Sequence, residues 1–482
     1  MSTQVTTQAG PPPAVLENRA EGSLRANIGR ALCIVIPLIV WFGPINMDPP
    51  AKHALAISTF MLVAWITEAM EFALAGLIGC YLYWALKVVD FNVAFSGFAT
   101  DTPWFLLGAI LFGTMASKSG LARRLAFLIM KRVGNTYSNI LLGLICMSVV
   151  LTFIVPSGVA NLVIMASITL GFIEAFGMGQ GSNIGRGMFL LITYSAGLFD
   201  KMIIAGASSI TARGFIERVG GVQVLWSKWF LAYLPCSLIT IFVAWRLSLW
   251  LFPPEKLALA ADAHYVQDEI KKMGSWTTIE KKTLVFMLAA VGLWFTDFIH
   301  GIPPSMIGLG VGLLAVVPVI GVLSIEDMKK VNYMPVFFVG AAIGMGNVLV
   351  QTKALTTVAN AMFSWMEPMM TNVFSTTAVL YWTAFGYHFF LGNEISMLGT
   401  SMPVLMAFAK AHSLNPLLIG MIWSFAAAGK IFVYQSGVMI VGYSYGYFQG
   451  KDLLRMGFAL TVVEFLILAL MVPFYWPLVG IY

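Results

Sequence analysis

Long apolar runs separated by short polar joints constrain this chain more than any other feature. Tyr137–Val155, Trp229–Phe252, Val336–Val350, Leu417–Val441 and Leu453–Tyr475 are examples. Crossing a bilayer takes about 20 consecutive apolar residues. Lipid cannot satisfy backbone polar groups, so runs of this length must span as helices. Taken with their flanks, the runs amount to about eleven spans, and two further apolar stretches do not fit the pattern. Of the 482 residues, 59% are hydrophobic and only 10% charged, against about 25% charged in soluble domains. The expected fold class is an all-α polytopic membrane protein.

The net charge of +6 does not point to nucleic acid, because the basic residues lie in short loops between apolar runs. The lipid bilayer is the partner this pattern implies. Arg19, Arg25 and Arg30 precede the first run, and Lys256, Lys271, Lys272, Lys281 and Lys282 fill the longest polar loop. By the positive-inside tendency both segments are cytoplasmic, which places the chain as a multi-pass protein of the inner (plasma) membrane. Residues 1–27 are read as a disordered cytoplasmic tail without a signal-peptide pattern. Residues 28–252 then form a first half with spans one to six, 253–281 a cytoplasmic loop, and 282–482 a second half with spans seven to eleven. Cys33, Cys80, Cys146 and Cys236 are scattered through apolar runs with no metal-ligand spacing, and are read as small apolar residues.

Two pairs of segments suggest a duplication. Asp101-Thr102-Pro103-Trp104-Phe105-Leu106-Leu107-Gly108 resembles Tyr333-Met334-Pro335-Val336-Phe337-Phe338-Val339-Gly340, with prolines and glycines at the same interval. Each proline stands where a span would open, where its missing N–H is harmless. Downstream, Ser195-Ala196-Gly197-Leu198-Phe199-Asp200-Lys201 resembles Ser424-Phe425-Ala426-Ala427-Ala428-Gly429-Lys430. Small polar clusters follow, Gly206-Ala207-Ser208-Ser209 in one case and Gln435-Ser436-Gly437 in the other.

Between the members of each pair lies an interrupted apolar stretch. The first runs over about 152–177 and is broken at Pro156-Ser157-Gly158. The second runs over about 373–409 and is broken at Gly392-Asn393-Glu394 and again at Pro403. A broken helix leaves backbone groups that lipid cannot satisfy. At corresponding places in two halves, such breaks mark a transporter binding site. Each stretch is expected to enter the membrane and return as a re-entrant hairpin.

These residues resemble the divalent anion/sodium symporter (DASS) family of di- and tricarboxylate carriers. Trp65-Ile66-Thr67-Glu68-Ala69 is similar to a family signature near the end of the second span, and Phe98-Ala99-Thr100-Asp101-Thr102-Pro103-Trp104 to the opening of the fourth. Ser119-Gly120-Leu121-Ala122-Arg123-Arg124 with Lys131-Arg132 resembles the interfacial helix that follows. Lys451-Asp452-Leu453-Leu454-Arg455-Met456-Gly457 resembles the lead-in to the last span. The resemblance runs from about Ala31 onward. It implies eleven spans, two hairpins in an inverted repeat, a homodimer, elevator-type movement, and a small-molecule anion held between the hairpin tips.

The chain also departs from the family. Sodium-coupled members carry Ser-Asn-Thr at each tip. Here Ser157 matches at Pro156-Ser157-Gly158-Val159, while Gly392-Asn393-Glu394-Ile395 has no clear match. The prolines and asparagine usual in the two broken spans are missing. No cofactor is expected, and sodium is the one ion the resemblance would supply. Lys201 and Lys430 stand at equivalent positions, and a lysine inside a span costs about 2.5–3.5 kcal/mol on insertion scales. The two ammonium groups are proposed to take the place of sodium, which would make the carrier an exchanger or uniporter. Alternatively each lysine snorkels to an interface or pairs internally. Glu394 is expected to pair with Lys201 or Lys430, with a proton-coupling role as the alternative. Ser157, Gly158, Asn161, Ser208, Ser209, Asn393, Ser396 and Ser436 complete the candidate site as donors to carboxylate oxygens, helped by helix N-termini. Thr400 and His388 are read as structural hydrogen-bonders, Glu68 and Glu71 as scaffold, and Arg123, Arg124, Lys131 and Arg132 as an interface cluster.

The reading is a secondary carrier of small organic anions, not an enzyme. A sodium- or proton-coupled symporter of carboxylate, sulfate or sulfonate is the alternative within transport. A channel or cation/proton antiporter is the alternative of another class, although an antiporter would concentrate Asp and Glu, not Lys, in the paired spans.

Overall fold

The structure, a computed structural model, describes residues 24–155, 157–259, 265–390, 394–427 and 431–481. Asn393 and Lys430, both expected in the site, lie outside the described residues, as do Pro156, Gly392 and most of the stretch read as a tail.

The protein is an all-α polytopic membrane protein. In chain order the principal helices are α1 (Leu24–Phe42), α2 (Pro49–Thr67), α3 (Phe72–Ala85), α4 (Asp101–Ser119), α5 (Leu121–Met130), α6 (Tyr137–Ile154), α7 (Gly158–Ala175), α8 (Asn183–Met202), α9 (Ala207–Arg218) and α10 (Trp226–Leu251). The second series is α11 (Tyr265–Met273), α12 (Thr278–Phe295), α13 (Pro304–Leu314), α14 (Met334–Gln351), α15 (Ala354–Phe363), α16 (Val373–Phe390), α17 (Glu394–Ala411), α18 (Pro416–Ala426), α19 (Gly437–Ser444) and α20 (Gly450–Phe474). By length and composition, six helical stretches among the described residues suffice to cross a membrane. The pair α4 and α5, bent by 67° at Gly120, adds a seventh. Shorter apolar helices, including α3, α13 and α18, accompany them. Outward faces are apolar, as lipid requires: Ile34, Leu38, Ile39 and Phe42 on α1, Val285 and Leu288 on α12, and Leu466, Leu470 and Phe474 on α20 are exposed.

Several boundaries differ from the sequence expectation. α1 begins at Leu24, inside the stretch read as a tail, and carries Arg25, Asn27 and Arg30 in its first two turns ahead of the apolar run. The polar loop contains the short helix α11 and gives way to α12 at Thr278, where Thr277 and Glu280 cap each other reciprocally. The first hairpin is longer than expected. Its arms are α6 and α7, so it begins at Tyr137 and not near 152. Pro403 does not break the second hairpin's return arm: α17 runs through it from Glu394 to Ala411. Gly346 of α14 faces the proline, and even a Cβ added there would stand 3.5 Å from the ring carbon, so the helix keeps its path with one backbone bond missing.

Close approach between helices relies on small residues. A Cβ on Gly108 of α4 would fall 2.5 Å from the carbonyl oxygen of Gly308 on α13, so this pair packs backbone on backbone. The site is framed by crossed packing. α9 packs against α17 and α18, while α19 packs against α7 and α8. The second piece of each broken span therefore lies against the hairpin that is distant in sequence. The stretch α8–α9 is deeply enclosed, whereas α20 leaves most of its residues outward.

Candidate anion site at the converged helix tips

Each tip is built by local chemistry. Ser157 holds extended backbone and caps α7, its hydroxyl accepting from the Ala160 N–H at 3.4 Å. Gly158 follows because α8 and α19 come close. A Cβ there would lie 2.9 Å from Val438 and 3.1 Å from the Ala196 carbonyl oxygen. α8 stops at Met202 and α9 begins at Ala207, with the Trp229 indole N–H donating to the Lys201 carbonyl at 2.9 Å at the break. The other broken span is stitched by Gln435. Its side-chain oxygen accepts from the Ile431 and Phe432 N–H groups at 2.9 and 3.0 Å. Its carbonyl accepts from His388 Nε2 at 3.0 Å, the structural role expected of that histidine. Ser436 caps α19 by accepting from the Val438 N–H at 3.2 Å. The described backbone groups named at these breaks thus find protein partners, as lipid requires.

The pieces converge on a cavity of about 650 Å³. Ser157, Gly158, Ser208, Glu394 and Ser436 line it, together with Asp200 and with α4 residues from Leu106 to Ser117. Asn332 and Pro335 close another side. Five of the residues expected in the site are thereby brought together.

The other described candidates are near but turned away. Lys201 is 4% exposed and forms an ion pair with Glu394 Oε1 at 2.9 Å, linking the end of α8 to the start of α17. The expected Glu394–lysine pairing is therefore present, and the ammonium lies behind the cavity wall. Asn161 points back into its own hairpin, donating toward the Ser148 carbonyl at 3.4 Å and Thr152 Oγ1 at 3.3 Å. The Ser209 hydroxyl returns to the Gly206 carbonyl at 3.1 Å, and Ser396 is buried in α17. Thr400 donates to the Met397 carbonyl at 3.0 Å, a backbone role as read. Glu71 caps α3 through the Leu74 N–H at 2.8 Å, as expected of scaffold. Arg124 corrects the interface reading. It is buried, with Nε 2.6 Å from Glu280, because the 273–275 backbone supplies carbonyls for the rest of its guanidinium.

Asp200 is the residue that sequence reasoning missed. Its Cβ stands 3.4 Å from where a Cβ on Gly158 would lie, and its carboxylate lies against the N-cap of α9. A Cβ on Gly206 would be 2.4 and 2.5 Å from its two oxygens. Both α7 and α9 thus present their positive N-terminal ends to it. The available signal was an acidic residue two positions before the last residue of α8, close to a break in an apolar span.

A second cavity, of about 790 Å³, is larger but has no charged residue in its lining. Leu55, Leu62, Met345, Trp365, Trp382 and Val404 typify its walls. A charged substrate needs convergent polar groups, so the smaller cavity is the candidate site.

The chain is similar along most of its length to several known proteins. A "Membrane protein" of Cupriavidus necator is 23% identical over 91% of this chain and 89% of its own length. The "Citrate/succinate antiporter" of Escherichia coli is 25% identical over 95% of this chain and 99% of its own. "Dicarboxylate transporter 1, chloroplastic" of Spinacia oleracea is 23% identical over 93% of this chain and 81% of its own. The profile described as "Sodium:sulfate symporter transmembrane region" matches residues 25–482, and the chain belongs to that family of divalent-anion carriers.

Proposed function

We propose that the protein carries small di- or tricarboxylates across the inner membrane by alternating access, without a requirement for sodium. The observation that carries this reading is the convergence of Ser157, Gly158, Ser208, Glu394 and Ser436 on one cavity, with Lys201 bound to Glu394 just behind it. Helix N-termini and serine hydroxyls supply donors to carboxylate oxygens. A fixed ammonium, bound to Glu394, stands just behind them and takes the place of a mobile cation. The names of the antiporter and dicarboxylate relatives support the substrate class. No bond is made or broken in such a cycle.

The crossed packing of α9 and α19 supports an inverted repeat in which both hairpins and both broken spans move together. In this reading the movement is elevator-type, the carrier is a homodimer, and the N-terminus is cytoplasmic. Lys430 and Asn393 belong to the same proposal as further substrate contacts. The test is uptake of labelled succinate by proteoliposomes, with and without a sodium gradient and with internal dicarboxylate. Stimulation by internal succinate alone is the expected result. Uptake that requires external sodium would reject the role given to the lysine.

A further inference from the structure

Among the described residues the charges at the cavity do not balance. Among the described residues, two carboxylates, Asp200 and Glu394, line it. The single described ammonium beside them, Lys201, is bound to Glu394 at 2.9 Å. Glu394 of α17 is the other charged group of the described lining, and the rest is uncharged: Ser157 and Gly158 at the start of α7, Gly206, Ala207 and Ser208 at the start of α9, Ser436 to Val438 at the start of α19, and Asn332. Lys430 lies outside the described residues.

Asp200 also occupies the favoured position for an anion. It lies beside Gly158 at the start of α7, and its carboxylate abuts Gly206, the N-cap of α9. Backbone donors and helix dipoles converge there. A substrate carboxylate entering the cavity meets the same donors with a fixed negative charge already on them. Like charges a few ångströms apart, shielded from water, disfavour both being ionised. One proton on Asp200 removes the conflict and turns the residue into a donor to a substrate oxygen. Glu394 is a poorer candidate for this proton because its charge is already met by Lys201.

We propose that Asp200 is the coupling residue of the carrier. In the empty state its carboxylate holds the substrate's place at the α7 and α9 N-termini. When an anion enters, one proton from the same side joins an Asp200 oxygen, and proton and anion leave together on the other side. This rests on the anion-carrier reading and adds a proton to each half-cycle, which leaves sodium-independent exchange intact because incoming and outgoing anions each bring their own.

The test is calorimetric binding to the purified full-length protein at about pH 7, in two buffers of different ionisation enthalpy, with succinate and with sulfate as probes. Sulfate has no proton to give at that pH, so uptake seen with both probes belongs to the protein. About one proton bound per anion is expected for the wild type, and none for Asp200→Asn. Above the pKa of Asp200, wild-type affinity falls about tenfold per pH unit, whereas the variant's is flat. Zero proton uptake by the wild type overturns the proposal even if the variant fails to fold, and so does a folded Asp200→Asn protein that still takes up a proton. If neither probe binds the wild type, the anion-carrier reading falls and this proposal with it.

Discussion

Two buried ionic clusters in this protein differ in what surrounds them. At one, Arg124 meets Glu280 at 2.6 Å. Its other guanidinium nitrogens donate to the carbonyls of Met273, Gly274 and Ser275, and its face lies 5.3 Å from the Trp276 ring centroid. The second oxygen of Glu280 accepts from the Thr277 N–H at 2.7 Å. Each strong donor has an acceptor there, the charges balance, and the cluster pins α5 to the polar loop and α12. At the other, Lys201 meets Glu394 beside a cavity of about 650 Å³, and Asp200 is left as a second carboxylate on the same wall. Burial of charge therefore does not mark a site by itself. Unbalanced charge beside open volume does, because only there does a mobile ligand change the electrostatic sum.

The comparison can be broken most directly by removing the cation from each cluster. Stranding a buried carboxylate costs about 3–5 kcal/mol. Lys201→Ala is expected to reduce succinate exchange per folded molecule by at least about a hundredfold. Arg124→Ala is expected to lower the thermal unfolding midpoint sharply while exchange per folded molecule stays near normal. Exchange in proteoliposomes, normalised to folded protein, checks both; Lys201→Ala at the wild-type rate would erase the distinction.

A smaller effect is expected at Gly206. A Cβ there would stand 2.4 Å from Asp200 Oδ1, so Gly206→Ala must push the carboxylate into the cavity. The outcome is a loss of about tenfold in succinate affinity, or about 1.4 kcal/mol, read by calorimetry. Ser157→Ala removes the hydroxyl that caps α7 and lines the cavity. A cap contributes about 1 kcal/mol, so affinity should fall several-fold with little change in the maximal rate.

The smallest effect sharpens the contrast from outside the membrane. Lys118 meets Asp327 at 2.6 Å on a partly exposed surface. Its ammonium, helped by Ser324, holds the Asp327 carboxyl below the usual carboxylate range. A depressed carboxyl stabilises above its unfolded pKa, about 3.9, and that support is lost as pH falls through the lowered value. Nothing changes there between about pH 5 and pH 8, so Lys118→Ala should shift stability by less than about 1 kcal/mol and leave the pH profile of binding untouched. A pH dependence of binding in that window then does not come from this pair.

Much of this arrangement was legible before the fold. Pro103 and Pro335 stand in the first turns of α4 and α14. Ser157 and Glu394 begin the return arms of the two helix pairs, and the clusters at Gly206 and Ser436 open α9 and α19. These features are local: a proline, a cap or a glycine acts on its own few residues. Arg124 was misplaced because the carbonyls that receive it come from residues 273–275, far along the chain. Asn161 was assigned to substrate because a tip asparagine and a hairpin-binding asparagine look the same until the partner arm is in place.

That the protein is a polytopic helical membrane protein with two interrupted apolar stretches follows from hydropathy, which sums along the chain without regard to neighbours. The choice between Asp200 and Lys201 is made by packing. The two are adjacent and point in different directions from one helix, so the packing of α8 against α7, α9 and α17 sets which of them faces the cavity. It turned the lysine toward Glu394 and left the aspartate on the wall of the site.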